Sequence, residues 1–392
     1  MSAGCCRISP RPAPSPEGCQ AMDAPVPKNV TVGPVPTGYY RWEPEEDDVL
    51  ICRAVREETH DVKTFVFAPR HKRQFEFVSG QFLTFEFEIA GETIHRCYTI
   101  SSPPTRPDTV SITVKRVPGG PVSNFLHAEF QPGMMLKATV PMGVFSWSGM
   151  QATKYLFISG GSGITPMMSM TRASFDLALI SDIAFVHAAR SPADIIFRDE
   201  LDYMSRRNRS IRPTFIVEDD APRESWGGYR GRLDGNKLAM ICPDFRERTV
   251  FVCGPAPFMK AVKTTLKEAG FDMGRYFQES FNFDDFTEEA QEKITEAAEE
   301  IDSGVRIFQL EFTKTGRTIE CPEGMTVLEA ARRAGMRLPS SCSKGLCGTC
   351  KSKLTAGSVE MKHGGGIRQR EIDAGMALLC CSKPKTDLVI ER

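Results

Sequence analysis

Along the chain the spacing of apolar positions falls into three regimes. From Asp47 to Ser148 it comes in short runs, 49–55, 62–67, 82–89, 96–101 and 110–115, separated by Gly and Pro turns. In Phe82-Leu83-Thr84-Phe85-Glu86-Phe87-Glu88 the later residues alternate apolar and acidic, the period of a half-buried strand. Many short strands of this kind predict a small antiparallel β-barrel. After Lys154 the runs lengthen. An apolar strand at 155–159 enters Gly160-Gly161-Ser162-Gly163-Ile164-Thr165-Pro166 and a helical stretch over 167–180. Strands at 183–188, 213–218 and 249–253 follow, with helices expected near 199–205 and at 257–269. Strands alternating with helices predict a parallel α/β domain. The third region opens with strand 306–312, turns at Thr315-Gly316 and returns over 317–321. Thr326 and Glu329 fit a capping box for a helix ending near Gly335, and strands are expected at 351–355 and 387–391.

These rhythms divide the chain into a tail at 1–45 and domains at 46–150, 151–283 and 304–392, with a connection at 284–303. Rich in Pro, Ser and Ala and lacking an apolar core segment, the tail reads as disordered and not as an ordinary signal peptide. The connection carries Glu288, Glu289, Glu292, Glu296, Glu299 and Glu300 and few large apolar residues, so it reads as a solvated acidic linker.

Composition narrows the function classes. A length of 392 residues suits two or three domains, and a net charge of −1 gives no case for nucleic acid or an acidic membrane surface. No apolar run reaches the roughly 18 residues of a membrane span. The 13 cysteines are too dilute for a disulfide scaffold, which points to a reducing cytoplasm.

The densest chemistry is Cys342-Ser343-Lys344-Gly345-Leu346-Cys347-Gly348-Thr349-Cys350, with Cys380 thirty positions later. C-x4-C-x2-C with a distant fourth cysteine is the ligand spacing of a plant-type [2Fe-2S] ferredoxin. Gly345 and Gly348 give such a loop the freedom to aim its amides at sulfur. Structural zinc and plain small core residues are the other readings of four cysteines. A single C-x2-C, where zinc ribbons carry two, speaks against zinc. Cys381 competes with Cys380; the interval, and Pro384 beyond it, favour Cys380 as in plant-type ferredoxins, leaving Cys381 to packing.

Arg96-Cys97-Tyr98-Thr99 resembles the R-x-Y-[ST] flavin signature of the ferredoxin–NADP reductase superfamily. A guanidinium fork suits a pyrophosphate, and an aromatic and a hydroxyl suit the flavin ring. The Gly119-Gly120-Pro121-Val122-Ser123-Asn124 turn offers free amides for the same pyrophosphate. The resemblance makes Ser123 a phosphate contact, a role that can coexist with helix capping, and makes Lys115 a contact to the flavin's tail. The 160–166 loop resembles the superfamily's nicotinamide-nucleotide loop, so Gly160, Gly161, Ser162, Gly163 and Thr165 are expected at the cofactor's phosphates. By the same resemblance Cys253, Gly254 and Pro255 lie beside the nicotinamide, and Glu279 and Phe281 lie at the flavin edge together with Tyr98 and Thr99.

The resemblance covers 49–392. It implies a multidomain fold: an antiparallel β-barrel flavin domain, an α/β parallel-sheet nucleotide domain and an α+β β-grasp ferredoxin domain. It favours FAD over FMN and NADH over NADPH, although Arg190 and Ser191 could meet a 2′-phosphate. Hydride would pass to the flavin and single electrons to the [2Fe-2S] cluster, then to a partner protein. None of the 6 histidines sits in a Rieske C-x-H element, and no 2-His-1-carboxylate pattern is evident, so oxygen chemistry is expected on another polypeptide, a terminal oxygenase. The run from Met361 to Ile367, with Glu371-Ile372, Gly375 and Cys380 to Pro384, is similar to reductases serving Rieske demethylases of glycine betaine, stachydrine or carnitine. His363 within it reads as a surface-loop residue. The alternatives are an NADH reductase of hybrid-cluster protein and a non-enzymatic electron carrier or redox sensor.

Overall fold

The computed structural model describes residues 40–281, 306–336, 338, 340, 345 and 347–392, so most of the expected tail, the acidic connection and Cys342 fall outside the described residues. The first sheet is built from β1 (Val49–Thr59), β2 (Val62–Pro69), β3 (Phe82–Ile89), β4 (Glu92–Thr99), β5 (Val110–Lys115) and β6 (Met135–Ala138), with helix α1 (Pro121–Ala128) between the last two. Its order is β4-β3-β6-β1-β2-β5, antiparallel throughout. A bridge between Ile100 and Ile112 joins the chain just past β4 to β5, so the two edges meet and the sheet closes. The alternation read in 82–88 is the cause: Leu83, Phe85 and Phe87 are fully buried, while Glu86 faces Lys137 and His95. Strand β4 begins at Glu92, ahead of the expected Arg96. Ala90 (φ 53°) and Gly91 (φ 79°) both take left-handed backbone, making a two-residue turn that lets pairing start at once.

The second sheet contains β7 (Lys154–Gly160), β8 (Asp182–Ala189), β9 (Ile211–Val217), β10 (Tyr229–Arg230), β11 (Thr249–Cys253) and β12 (Tyr276–Glu279), all parallel in the order β10-β9-β8-β7-β11-β12. Helices α2 (Ile164–Asp176), α3 (Arg198–Arg207), α4 (Gly235–Ile241) and α5 (Ala256–Glu268) connect them. Both faces are covered, by a cluster around Phe157, Phe185 and Phe251 and another around Leu156, Ile158 and Val252, which is why these strands read as unbroken apolar runs. Successive strands step outward from β7 through β10, and the chain then returns to lay β11 on the other side of β7. That reversal places a ligand crevice at the C-terminal ends of β7 and β11. Helix α2 starts at Ile164, earlier than expected, because Pro166 lies in its first turn, where the missing N–H would have had no partner. It ends at Asp176, short of Ile180, where Ala178 turns left-handed (φ 49°).

The third sheet has the order β14-β13-β19-β15-β17, from β13 (Ile307–Phe312), β14 (Arg317–Pro322), β15 (Lys351–Ala356), β17 (Met376–Leu378) and β19 (Leu388–Glu391). β16 (Val359–Met361) and β18 (Ser382–Pro384) form a separate ribbon. Helix α6 (Val327–Arg333) carries the expected capping box, with Thr326 Oγ1 accepting from Glu329 N and Glu329 Oε2 accepting from Thr326 N. Helix α7 (Gln369–Asp373) precedes β17. Pro36–Arg392 is one compact unit.

Candidate functional site

The R-x-Y-T residues lie at the end of β4. Tyr98 packs against Phe85 and Phe87, with ring centroids 6.4 and 6.5 Å apart, and Thr99 is buried. Arg96 Nη1 donates to the adjacent His95 carbonyl (2.8 Å), and among the described residues no carboxylate pairs with Arg96. A half-buried guanidinium in that position suits an anionic ligand. Ahead of α1, Gly119 takes φ 73°, Gly120 occupies the N-cap without a side-chain cap, and Val122 is buried. Ser123 Oγ accepts from Val117 N (3.1 Å) and donates to Gly120 O (3.3 Å), so its hydroxyl shapes the turn.

The strand leading out of this motif is fastened to the nucleotide-type domain. Arg172 on α2 is buried; its Nη1 donates to Ser101 O (2.6 Å) and its Nη2 pairs with Glu200 (2.6 Å). Ser169 Oγ donates to Ser102 O (2.8 Å). Helix α2 is therefore held both to the 160–165 loop at its start and to the Arg96 strand along its side.

At the crevice, glycine is required by contact. A Cβ on Gly163 would lie 2.3 Å from Cys253 O, and one on Gly254 would lie 3.1 Å from Gly160 N and 2.8 Å from the Phe258 ring. The two expected nucleotide motifs thus touch backbone to backbone. Gly161 is left-handed (φ 53°), Thr165 Oγ1 donates to Ser162 O (3.2 Å), and Pro255 is exposed at the mouth. Across the sheet Glu279, Cys253, Ser159 and His187 stand in register on four neighbouring strands. Glu279 is half-buried, with Oε2 sealed from solvent and without a hydrogen-bond partner among the described residues, and burial pushes its carboxyl up to about 8. Burial first, and Glu279 second, push the Cys253 thiol well above its usual range. His187 accepts or donates at 2.8 Å to Ser159 Oγ, and burial lowers it to about 3, so it is a neutral imidazole. Phe281 packs against the barrel-facing core, whereas Phe277 stacks on Phe251 at 5.2 Å.

Lys115 and Arg190, expected at two different cofactors, meet on one carboxylate. Asp61 takes Lys115 Nζ at 2.6 Å and Arg190 Nη2 at 3.1 Å, and Arg190 also pairs with Asp194 at 2.9 Å.

Cys347, Cys350 and Cys380 are buried together. The neighbouring Cys380 thiol holds Cys350 below the usual thiol range, and Gly345 N donates to Cys380 Sγ (3.3 Å). Gly345 is left-handed (φ 67°), and a Cβ there would meet Cys381 Sγ at 2.7 Å. An amide aimed at sulfur and three clustered thiols are what a thiolate-bound [2Fe-2S] group needs, and the donor set fits it. Thr84 Oγ1 on β3 donates to Cys347 O (2.7 Å), and Arg368 pairs with Asp48 and Glu45 (both 3.3 Å), joining this domain to the barrel. Motif reading missed Thr84, Cys97, Ser159, Arg172 and His187. Ser159 and His187 could have been found as the last inward positions before the expected loops; Thr84 carries no local signal.

Known families match in the same order. Residues 51–147 match the oxidoreductase FAD-binding domain, 157–264 the oxidoreductase NAD-binding domain and 311–385 the 2Fe-2S iron-sulfur cluster binding domain. The glycine betaine monooxygenase reductase subunit of Pseudomonas aeruginosa (strain UCBPP-PA14) is 46% identical, over 87% of this chain and 94% of its own. The stachydrine N-demethylase reductase subunit of Rhizobium meliloti is 40% identical over 87% and 96%, and the NADH oxidoreductase HCR of Escherichia coli 30% over 86% and 95%. Phthalate dioxygenase reductase shares the fold, with a TM-score of 0.53 and 23% identity over 90% of this chain and 100% of that one.

Proposed function

Because the chain belongs to the family of FAD- and NAD-binding reductase subunits that carry a [2Fe-2S] domain, we propose that it draws electrons from NADH and passes them to a separate Rieske-type oxygenase that demethylates a quaternary amine. A flavin bound there would accept the two electrons of one hydride and could pass them one at a time to a cluster. The observation that supports the reading is a chain of contacts: the Cys347 loop is bonded to β3, which pairs with β4, and Ser101 just past β4 is bonded to Arg172 of the helix that follows the 160–165 loop.

Each residue then has a task. Arg96, with the amides around Gly120 and Val122 and the turn fixed by Ser123, holds the flavin pyrophosphate; Tyr98 and Thr99 flank its ring, and Lys115 supports the tail. Gly160, Gly161, Ser162, Gly163 and Thr165 receive the phosphates of NADH. Cys253, Gly254 and Pro255 wall the nicotinamide, where a neutral thiol and a protonated Glu279 keep charge away from the reacting carbon, and Phe281 covers the edge. Arg190, neutralised by Asp61 and Asp194, is a poor receiver of a 2′-phosphate, which favours NADH. Cys342, Cys347, Cys350 and Cys380 hold the cluster.

A quaternary-amine partner is supported by 46% and 40% identity to reductases of that kind, against 30% for the HCR-type reductase. A cytoplasmic setting is proposed from the dilute, unevenly spaced cysteines and from the reduced thiols a cluster needs. No helix among the described residues is long and apolar enough to cross a membrane. The test combines the purified chain with candidate Rieske oxygenases, NADH and glycine betaine or stachydrine. Formaldehyde release that requires this chain is the expected result; reduction of hybrid-cluster protein without any coupled demethylation would move the assignment to the second reading.

A further inference from the structure

The β3–β4 hairpin is engaged on both faces. In an antiparallel pair, residues in register project to one side and the next pair projects to the other. Leu83 is in register with Tyr98 and Phe85 with Arg96, and this face carries Arg96 and Tyr98 of the expected flavin motif. Between them stands the pair Thr84 and Cys97, which projects the opposite way, into the ferredoxin-like domain. There Thr84 Oγ1 donates to Cys347 O at 2.7 Å, Cys97 Sγ lies 3.8 Å from the same carbonyl, and Cys97 Sγ and Thr349 Oγ1 are 3.4 Å apart. Thr84 is 2% exposed and Thr349 5%, so the contact is buried. Along the strand, one residue step, about 3.3 Å, separates the residues of one face from those of the other.

We propose that Thr84 and Cys97 are positioning residues for internal electron passage: they hold the Cys347 end of the cluster loop against the back of the strand that carries Arg96 and Tyr98. Neither contacts NADH nor ligates iron. Thr84 supplies the donor to a buried carbonyl, and Cys97 fills the space between Thr84 and Thr349 with a weakly polar thiol. The proposal rests on the assignment of flavin to Arg96–Thr99 and of a cluster to the cysteine loop.

Thr84→Val keeps the shape and removes the donor, and Thr84→Ser restores it. In the holoenzyme, NADH is added anaerobically while flavin and cluster absorbance are followed separately, and amide exchange at Cys347, Gly348 and Thr349 is measured by mass spectrometry. Thr84→Val is expected to keep wild-type iron, flavin content and flavin bleaching, to slow cluster bleaching, and to lose roughly tenfold in amide protection, the scale of a buried carbonyl losing its donor. Thr84→Ser is expected to recover both. Unchanged cluster bleaching in Thr84→Val overturns the proposal, whether or not protection falls. So does loss of iron from that variant, or a Thr84→Ser that recovers nothing. Wild-type protein that takes up neither flavin nor iron would instead remove the assignment underneath.

Discussion

Glu279, half-buried with one carboxyl oxygen sealed from solvent, couples chemistry to stability. Its ordinary value is 4.5, and burial beside Cys253 raises it to about 8. Below 4.5 the folded and unfolded chains both hold the proton, so the group contributes nothing. Between 4.5 and 8 the unfolded chain has released it and the folded chain has not, so the folded state loses stability as pH rises through this window and levels off above it. Glu279→Gln should abolish that slope: its denaturation midpoint should gain on the wild type from pH 4.5 to 8 and then run parallel. A constant gap would put the carboxyl in water. Among the thiols, Cys380→Ser should strip the iron, whereas Cys381→Ser should retain it, as measured by iron per chain; the reverse pattern would reassign the fourth ligand. Single residues carried a local signal where a motif names them, as at Arg96 or Cys253. They were silent where the role comes from a neighbour far along the chain, as for Thr84 and Cys347.

Among the elements, the nucleotide loop is specified by what backbone contact forbids. Gly163→Ala would drive a methyl into Cys253 O, 2.3 Å away. Overpacking of this kind costs ~1–3 kcal/mol, so NADH should bind roughly tenfold or more weakly, with flavin content unchanged, as measured by KM in dye reduction. At the opposite end of the same sheet, Arg248 is 1% exposed and bonds Tyr155 O, Asp182 and Asp244, clamping β7 to β8. Arg248→Met should lower stability by about 3 kcal/mol, the lower end for a broken buried pair because both carboxylates are partly exposed, and should leave NADH-dependent dye reduction intact below the new melting temperature. Element type was legible from periodicity, because the buried faces repeat at two residues in the barrel and run unbroken in the parallel sheet. Element ends were not. The start of β4 depends on left-handed Ala90, and the end of α2 on left-handed Ala178, and neither residue type announces that conformation.

At the scale of the whole molecule, the order of domains in sequence becomes an order of sites in space. Helix α2 binds the Arg96 strand to the crevice, the Thr84 contact binds the barrel to the cysteine loop, and Arg368 binds it to the rest of that domain. The sequence could supply the order, since each domain carries its own motif, but the adhesion between domains is made by residues with no motif at all. Arg368, Asp48 and Glu45 read as ordinary surface charges until the fold brings them together. In the proposed function, electrons enter at the crevice and leave at the cysteines through a bound flavin. The most direct measurement is anaerobic titration of the purified, reconstituted chain with NADH, following the flavin and iron-sulfur bands in wild type and in Cys347→Ser. The prediction is about one flavin and about two iron atoms per chain, both bleached by NADH in the wild type, with flavin bleaching alone surviving in the variant. Cluster absorbance that persists in Cys347→Ser, or a wild-type cluster that NADH never bleaches while the flavin is reduced, would contradict it.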